Sequence, residues 1–358
     1  MPDPRFFSVK PAISVADLLA AIGLDASGRT VVSARGGVGT DQAMVSRVAP
    51  STAPSLDGAC IFLDKKTRGE SLALGAFAMC VVPRSWVCDD GTHLRPQIAA
   101  LLGREGSGPV IGVDHERALF SHIATYLYTE ERFDVAVSSA PAPQASQSIH
   151  PTALIDPRAR LGAAVEIGPG VVIGPGVSIG DGCRIDAQSS VFHTVMGPGC
   201  VLASGVRLGQ AGFGVAPGPE GPVPVPQLGR VIVGARVHLG ANTTVDRGSL
   251  DDTVIGDDCH IDNLVQIAHN VRMGQRCLIA GQTGIAGSCT IGDDVVMGGQ
   301  VGFADHVSVG NGAQIAAKAG VMRDIPAGET WCGVPAKPVR QFMREVAALG
   351  RLTQKKKK

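Results

Sequence analysis

The sequence predicts a mainly β chain built on a parallel β-helix, and three observations carry that prediction. An aliphatic residue recurs at every sixth position from Ile149 to Val321. The residue after it is usually small or polar, as in Ile167-Gly168, Ile173-Gly174, Ile179-Gly180 and Ile291-Gly292. The chain carries 47 glycines while only 4% of it is aromatic, which suits tight corners around a narrow aliphatic interior. Ile149, Ile155, Leu161, Ile167, Ile173, Ile179, Ile185 and Val191 open the series; Met196, Leu202 and Leu208 continue it one residue out of step. Val233, Leu239 and Val245 resume it, and Ile255 through Ile261, Ile267, Met273, Ile279, Ile285, Ile291, Met297, Phe303, Val309, Ile315 and Val321 complete it. An α-helix cannot hold this period, because six residues advance it by about 600° and scatter the aliphatic residues around it. Each hexapeptide is instead a short strand plus a turn. Three of them make a triangular coil of about 18 residues, and coils stack roughly 4.8 Å apart.

The remaining elements follow in order. Residues 1–134 lack the hexad and read as an α/β domain. Ser14-Val15-Ala16-Asp17 before an apolar run is a capping-box pattern, with Gly23 as a stop. Cys60 to Leu63 and Met79 to Val82 read as buried strands, and Asp114 to Tyr128 as a helix. Residues 135–148, rich in Pro, Ala and Ser, read as a linker. The β-helix is expected over 149–335, interrupted by a Pro/Gly-rich loop at 212–229 and a polar loop at 246–254. Insertions in a solenoid collect on a functional face. Residues 336–358 are expected to form a helix with Val339, Phe342, Val346 and Leu349 on one face, followed by the basic tail Lys355 to Lys358.

Lys+Arg and Asp+Glu both total 32, so no global field calls for nucleic acid. Nine scattered cysteines with no Cys-x-x-Cys pair read as reduced thiols, with no metal site. The start, Met1-Pro2-Asp3-Pro4-Arg5, has no signal-peptide pattern, and no apolar run reaches bilayer length; a cytoplasmic location without a transmembrane segment is expected.

The hexad alone does not assign function, since it scaffolds enzymes and structural proteins alike. Chemistry is sought in polar residues that stack along the coil axis. His269 follows a core isoleucine by two positions and falls at a corner. Gly287 lies 18 residues on, one coil along, which places its N–H about 5 Å away along the axis. His306 lies two coils plus one residue on. A base, an oxyanion donor and a second imidazole on one ridge suit acyl transfer. The plain alternative for His269 is a solvated corner imidazole. Asp262, about one face away within its coil, is expected to approach His269 of a neighbouring chain in a trimer of prisms; its plain alternative is a turn aspartate capping a backbone N–H. His238 and His260 should point outward, and His193 has no repeat-linked partner.

The stretches Asn242-Thr243-Thr244-Val245-Asp246-Arg247-Gly248-Ser249, Ile261-Asp262-Asn263 and Gln266-Ile267-Ala268-His269-Asn270-Val271 closely resemble the UDP-3-O-acylglucosamine N-acyltransferase family of the lipid A pathway. The resemblance extends over nearly the whole chain. It implies a left-handed β-helix, a homotrimer, and transfer of a 3-hydroxyacyl chain from acyl carrier protein to the 2-amine of UDP-3-O-(3-hydroxyacyl)glucosamine, with no cofactor and no metal. It implies His269 as general base, Gly287 as oxyanion donor, and His306 near the nucleotide-sugar phosphate. Asp262, Asn263 and Gln266 become polar residues of the acceptor site. Phe62 and Asp64 are the expected uracil contacts, although Thr67 stands where the family has Tyr, and Ala211 where it often has Asp. Arg323, Arg340 and Arg344, with Lys318 and Lys337, are expected to receive the acidic carrier protein; an ordinary solvated helix face is the plain alternative. Gly320 is expected to leave room for an acyl tail. Three rivals stay open: another nucleotide-sugar acyltransferase of the hexapeptide-repeat superfamily, a γ-type carbonic anhydrase, which needs three zinc-binding histidines, and a non-enzymatic scaffold.

Overall fold

The computed structural model describes residues 2–23, 30–33, 43–50, 53, 55–63, 76–88, 94–95, 107–133, 146–333 and 338–353. Asp64, Thr67, Lys337, the Lys355–Lys358 tail and nearly all of the expected linker lie outside them.

The hexad folds as its period requires. Three parallel sheets of ten, nine and eight strands form the faces of a prism. Most strands are two residues long, an outward residue followed by an aliphatic one facing in, as in Gln266–Ile267. Pairing advances by one coil of 18 residues: Ile149 meets Ile167, Ile155 meets Ile173, and Ile267 meets Ile285. The slip at Met196 is a shortened coil, since Ile179 pairs directly with Met196.

A second interior column stands two residues before the first. Cys183, Cys200, Cys259, Cys277 and Cys289 occupy it together with Val165, Val171, Thr243 and Thr283, all buried. Five cysteines that look scattered in sequence therefore share one place in the hexad, where a small side chain fits a tight corner. Cys277 Sγ, for example, donates to the Gly292 carbonyl of the next coil at 3.2 Å.

The interruptions differ from simple loops. Residues 212–229 contain a β-hairpin, Val215–Gly218 paired with Gly221–Pro224. The two strands form a sheet of their own, separate from the three sheets of the prism. The shorter insertion spans 248–252, because Thr244–Arg247 and Thr253–Ile255 both remain strands. Where it is inserted, pairing advances by 22 residues, as in Val245 with Ile267.

In the N-terminal region a sheet runs in the order Thr30–Ser33, Pro109–Val113, Met79–Pro83, Ala59–Phe62, Arg47–Val48, parallel except for the first strand. Helix α1 (Val15–Ala21) is capped as its sequence suggests: the Asp17 N–H donates to Ser14 Oγ at 3.1 Å. Helix α2 (Glu116–Leu127) buries Leu119, Phe120, Ile123 and Leu127 against the sheet and touches the hairpin. Helix α3 (Val339–Thr353) leaves Val339, Phe342, Val346 and Leu349 exposed. Among the described residues no helix is long and apolar enough to cross a membrane.

Candidate active site

His269 sits where one strand ends. Ile267 turns into the core, and the chain turns at His269 and Asn270, the latter at φ 61°. The insertion at 248–252 fixes this corner. The Ser249 N–H and hydroxyl donate to Asn270 Oδ1 at 3.0 and 2.9 Å, while Asn270 Nδ2 donates to the Asp251 carbonyl at 3.1 Å. A backbone N–H can only donate, so the amide oxygen is an acceptor. His269 Nδ1, 3.0 Å from the same oxygen, must then carry a proton. When neutral, the imidazole is held as the Nδ1–H tautomer, and Nε2 keeps its lone pair.

Two glycines make room for the ring. A Cβ on Gly212 would lie 2.8 Å from His269 Cβ, and one on Gly287 would lie 2.7 Å from Cε1 and 2.8 Å from Nε2. Any side chain at Gly287 would displace the imidazole. The Gly287 N–H donates to no acceptor among the described residues. The Ser288 N–H donates to the His269 carbonyl and the His306 N–H to the Gly287 carbonyl. Asn270, Ser288 and His306 thus occupy matching corner positions, with φ of 61°, 62° and 60°. His306 is exposed, its Nε2 3.9 Å from Asp305 Oδ2.

A cleft of about 890 Å³ opens along this corner. The prism contributes Asp246, Gln266, His269, Gly287 and His306; the hairpin arm contributes Phe213, and the N-terminal region Phe62 and Arg117. Phe62 packs on Phe120 with ring centroids 5.6 Å apart, and the Arg117 guanidinium lies 5.7 Å from the Phe62 centroid. Asp246 receives a hydrogen bond from Gln266 Nε2 at 2.8 Å, and Gln266 Oε1 in turn accepts from the Thr244 hydroxyl. Burial pushes the Asp246 carboxyl up to about 6, against the smaller opposing effects of Gln266, His269 and Arg247.

The residue after Asp246 holds the three walls together. Arg247, buried, donates from Nε to the Gln227 carbonyl at 2.7 Å and from Nη1 to the Gly209 carbonyl at 3.1 Å, which anchors both ends of the hairpin arm. Its Nη2 lies 3.1 Å from Glu130 in the N-terminal region, and its Nη1 is 3.3 Å from His193 Nδ1. Because arginine only donates, His193 Nδ1 accepts. His193 packs between Phe6 and Phe7, each with its ring centroid 5.2 Å away. Burial, aided by the Arg247 charge, pushes His193 down to about 3, so the ring is neutral. Its Nε2 lies 3.3 Å from Glu130 Oε1 without hydrogen-bond geometry.

The cleft brings together five of the residues singled out from the sequence: Phe62, Gln266, His269, Gly287 and His306. It leaves Asp262 and Asn263 on the next corner. There Asp262 accepts from the Gly281 N–H at 3.0 Å and Asn263 accepts from the Ala241 N–H at 2.6 Å. Asp262 lines a second, shallower concavity with His238 and His260, whose ring centroids lie 4.6 Å apart with the planes tilted by 36°. Arg340 and Arg344 are exposed on α3; Arg323, also exposed, lies over the Trp331 ring at 5.3 Å. Sequence reasoning passed over Asp246, Asn270 and Arg247 as site residues, and His193 as a junction. The available signal was Asp246-Arg247 itself, an ion-forming pair where the hexad is about to break. Among the described residues no group of three or more His, Cys, Asp or Glu side chains is placed to hold a metal ion.

The family model of bacterial transferase hexapeptides, six repeats, matches residues 252–287. A UDP-3-O-acylglucosamine N-acyltransferase of Caulobacter vibrioides (strain NA1000 / CB15N) is 42% identical over 98% of this chain and 98% of its own length. One of Rhizobium meliloti (strain 1021) is 52% identical over 49% of this chain and 50% of its own. Among solved structures, LpxA from Acinetobacter baumannii superposes with a TM-score of 0.48 at 25% identity, covering 58% of this chain and 78% of that one.

Proposed function

The chain belongs to the UDP-3-O-acylglucosamine N-acyltransferase family, and from that premise we propose that it moves a 3-hydroxyacyl chain from an acyl carrier protein thioester to the 2-amine of UDP-3-O-(3-hydroxyacyl)glucosamine, with His269 as general base. One observation carries this reading: His269 is held through Nδ1 by Asn270, against Gly287, inside a cleft sized for a nucleotide sugar. The amine nitrogen attacks the thioester carbonyl while His269 Nε2 takes a proton from it. The Gly287 N–H stabilises the oxyanion. Collapse breaks the C–S bond, and the imidazolium returns its proton to the departing thiolate. A base and an oxyanion donor each contribute about 10²–10⁴ in rate.

In this reading His306 meets the nucleotide-sugar phosphate and Phe62 the uracil, within the N-terminal domain of residues 1–134. Asp64 is assigned there by resemblance alone. Asp262 and Asn263, turned away from His269 of their own chain, serve the cleft of a neighbour in a homotrimer. Mixing D262A and H269A subunits then restores part of the activity, and no recovery counts against a shared site. Arg323, Arg340 and Arg344 receive the acidic carrier protein. An unchanged KM for the carrier protein in R340E/R344E removes that patch. Gly320, whose outward position is open, leaves room for the acyl tail; unaltered chain-length preference in Gly320→Met removes that idea. The reaction takes place in the cytoplasm.

The deciding assay is turnover of 3-hydroxyacyl carrier protein with UDP-3-O-(3-hydroxyacyl)glucosamine, read by mass spectrometry. Wild type yields the diacylated sugar, and H269A loses about two to four orders of magnitude. Absence of product from folded wild type overturns the reading.

A further inference from the structure

The mechanism above uses His269 and Gly287 and leaves the carboxylate beside them without a task. Asp246 faces the same cleft, half-buried, one coil before Gln266. Its surroundings fix its hydrogen-bonding sense. An ionised carboxylate only accepts, so Gln266 Nε2 is the end turned to Asp246, donating to Oδ2 at 2.8 Å, and Gln266 Oε1 accepts from the Thr244 hydroxyl. Oδ1 has no protein donor among the described residues. The adjacent Arg247 does not neutralise Asp246 by contact, because its guanidinium is committed to Glu130, His193 and the carbonyls of Gly209 and Gln227. The other charged groups of the cleft are Arg117, Arg272, Asp251, Asp305, His306 and His269. Of all these, His269 and Arg247 are the ones whose charge acts on Asp246.

The cleft therefore carries two acceptors on its prism wall, His269 Nε2 and Asp246 Oδ1. An amine has two N–H bonds and a lone pair, so it can satisfy both acceptors while its lone pair attacks. A hydroxyl has one O–H, and if that goes to His269 the carboxylate loses its partner. A half-buried acceptor left unpaired is costly, which is how sites built to bond a given group reject analogues that lack it.

We infer that Asp246 accepts a hydrogen bond from the nitrogen that is acylated and so sets the preference for an amine over a hydroxyl acceptor. The inference rests on the function proposed above and adds a specificity-determining residue to it. Burial holds the carboxyl near 6, so it is mostly ionised at neutral pH and open to this role. The proton balance of transfer is unchanged: one N–H proton passes to His269 and on to the thiolate, and the other stays on the amide nitrogen, bonded to Asp246.

The test compares two matched acceptors, UDP-3-O-(3-hydroxyacyl)glucosamine and UDP-3-O-(3-hydroxyacyl)glucose, with 3-hydroxyacyl carrier protein and the full chain. D246N keeps the shape, but Gln266 Nε2 demands the amide oxygen, so an NH₂ faces the acceptor where an oxygen stood. The expected result is a fall of about ten- to a hundredfold in kcat/KM for the amine, little change for the hydroxyl, and hence collapse of the ratio. D246A, which removes both oxygens, should collapse it too. Equal losses on both acceptors, or an unaltered ratio in either folded variant, overturns the inference while the parent reading stands. No turnover of the amino sugar by wild type overturns both.

Discussion

From Ile255 to Val321 the coils repeat without a slip, whereas between His193 and Asp252 the repeat is broken three times, by a shortened coil and two insertions, and the two stretches serve different ends. The regular stretch supplies spacing. It delivers His269, Gly287 and His306 to one edge, the first two one coil apart and His306 one coil and one residue further, because each strand must pair with the next. It does not by itself make any of them reactive. His238 and His260 are ladder neighbours too, yet they stand outward with their tilted rings against each other. The broken stretch supplies surroundings. Ser249 and Asp251 orient Asn270, which orients His269; Gly212 admits the ring; Arg247 ties the arm and the N-terminal region over the cleft. A solenoid repeat sets where a side chain stands, and its interruptions set what that side chain can do.

The comparison breaks most sharply at Gly287. Gly287→Ala forces the His269 ring aside and should lower kcat by about 10²–10³, with a melting temperature close to that of wild type. A large loss of stability with unchanged kcat would show that the corner is scaffold only. At Arg247, substitution by Ala leaves Glu130 without its buried partner and three hydrogen bonds unmade. A destabilisation of about 3 kcal/mol, about 1 for each lost hydrogen bond, is expected, seen in urea unfolding, together with a raised acceptor KM as the arm loosens. Unfolding indistinguishable from wild type would dissolve the clamp.

In the regular stretch, Ile291→Val removes one methylene from the interior column and should cost about 0.5–1.5 kcal/mol with kcat intact. A changed kcat would mean that the coils couple to the cleft more tightly than their geometry indicates.

A further expected effect concerns pH. The native state binds a proton at Asp246 up to about pH 6, while its ordinary value is 3.8, so stability falls as pH rises through that window. D246N removes this dependence. Its melting temperature should exceed that of wild type above pH 6 and match it below pH 4. An advantage confined to acid pH would contradict the sign.

Much of the architecture was legible before folding. The period of six admits neither helix nor hairpin sheet, and the break in step at Met196 already recorded the shortened coil. The ridge of His269, Gly287 and His306 was legible for the same reason: spacing along the chain becomes distance along the axis when every strand pairs with the next coil. The cysteines were not legible, because membership in the second interior column shows only once the coils are stacked. Asp246 and Arg247 were read merely as loop residues, since nothing in a sequence tells which way two adjacent charged side chains turn. In the fold they separate, Asp246 into the cleft and Arg247 into the junction.

By itself, then, the sequence determined the β-helix, the family, and the line of residues from His269 to His306, because all three follow from local period and local motif. Only the tertiary structure decided the roof of the cleft, the tautomer of His269, the neutral His193 beneath the N-terminal region, and the placing of Asp262 and Asn263 on a different corner from His269. Those depend on contacts between segments far apart in the chain, such as Glu130 with Arg247 and Gly212 with His269. No period encodes them; they arise when the hairpin arm and the N-terminal region pack against the prism.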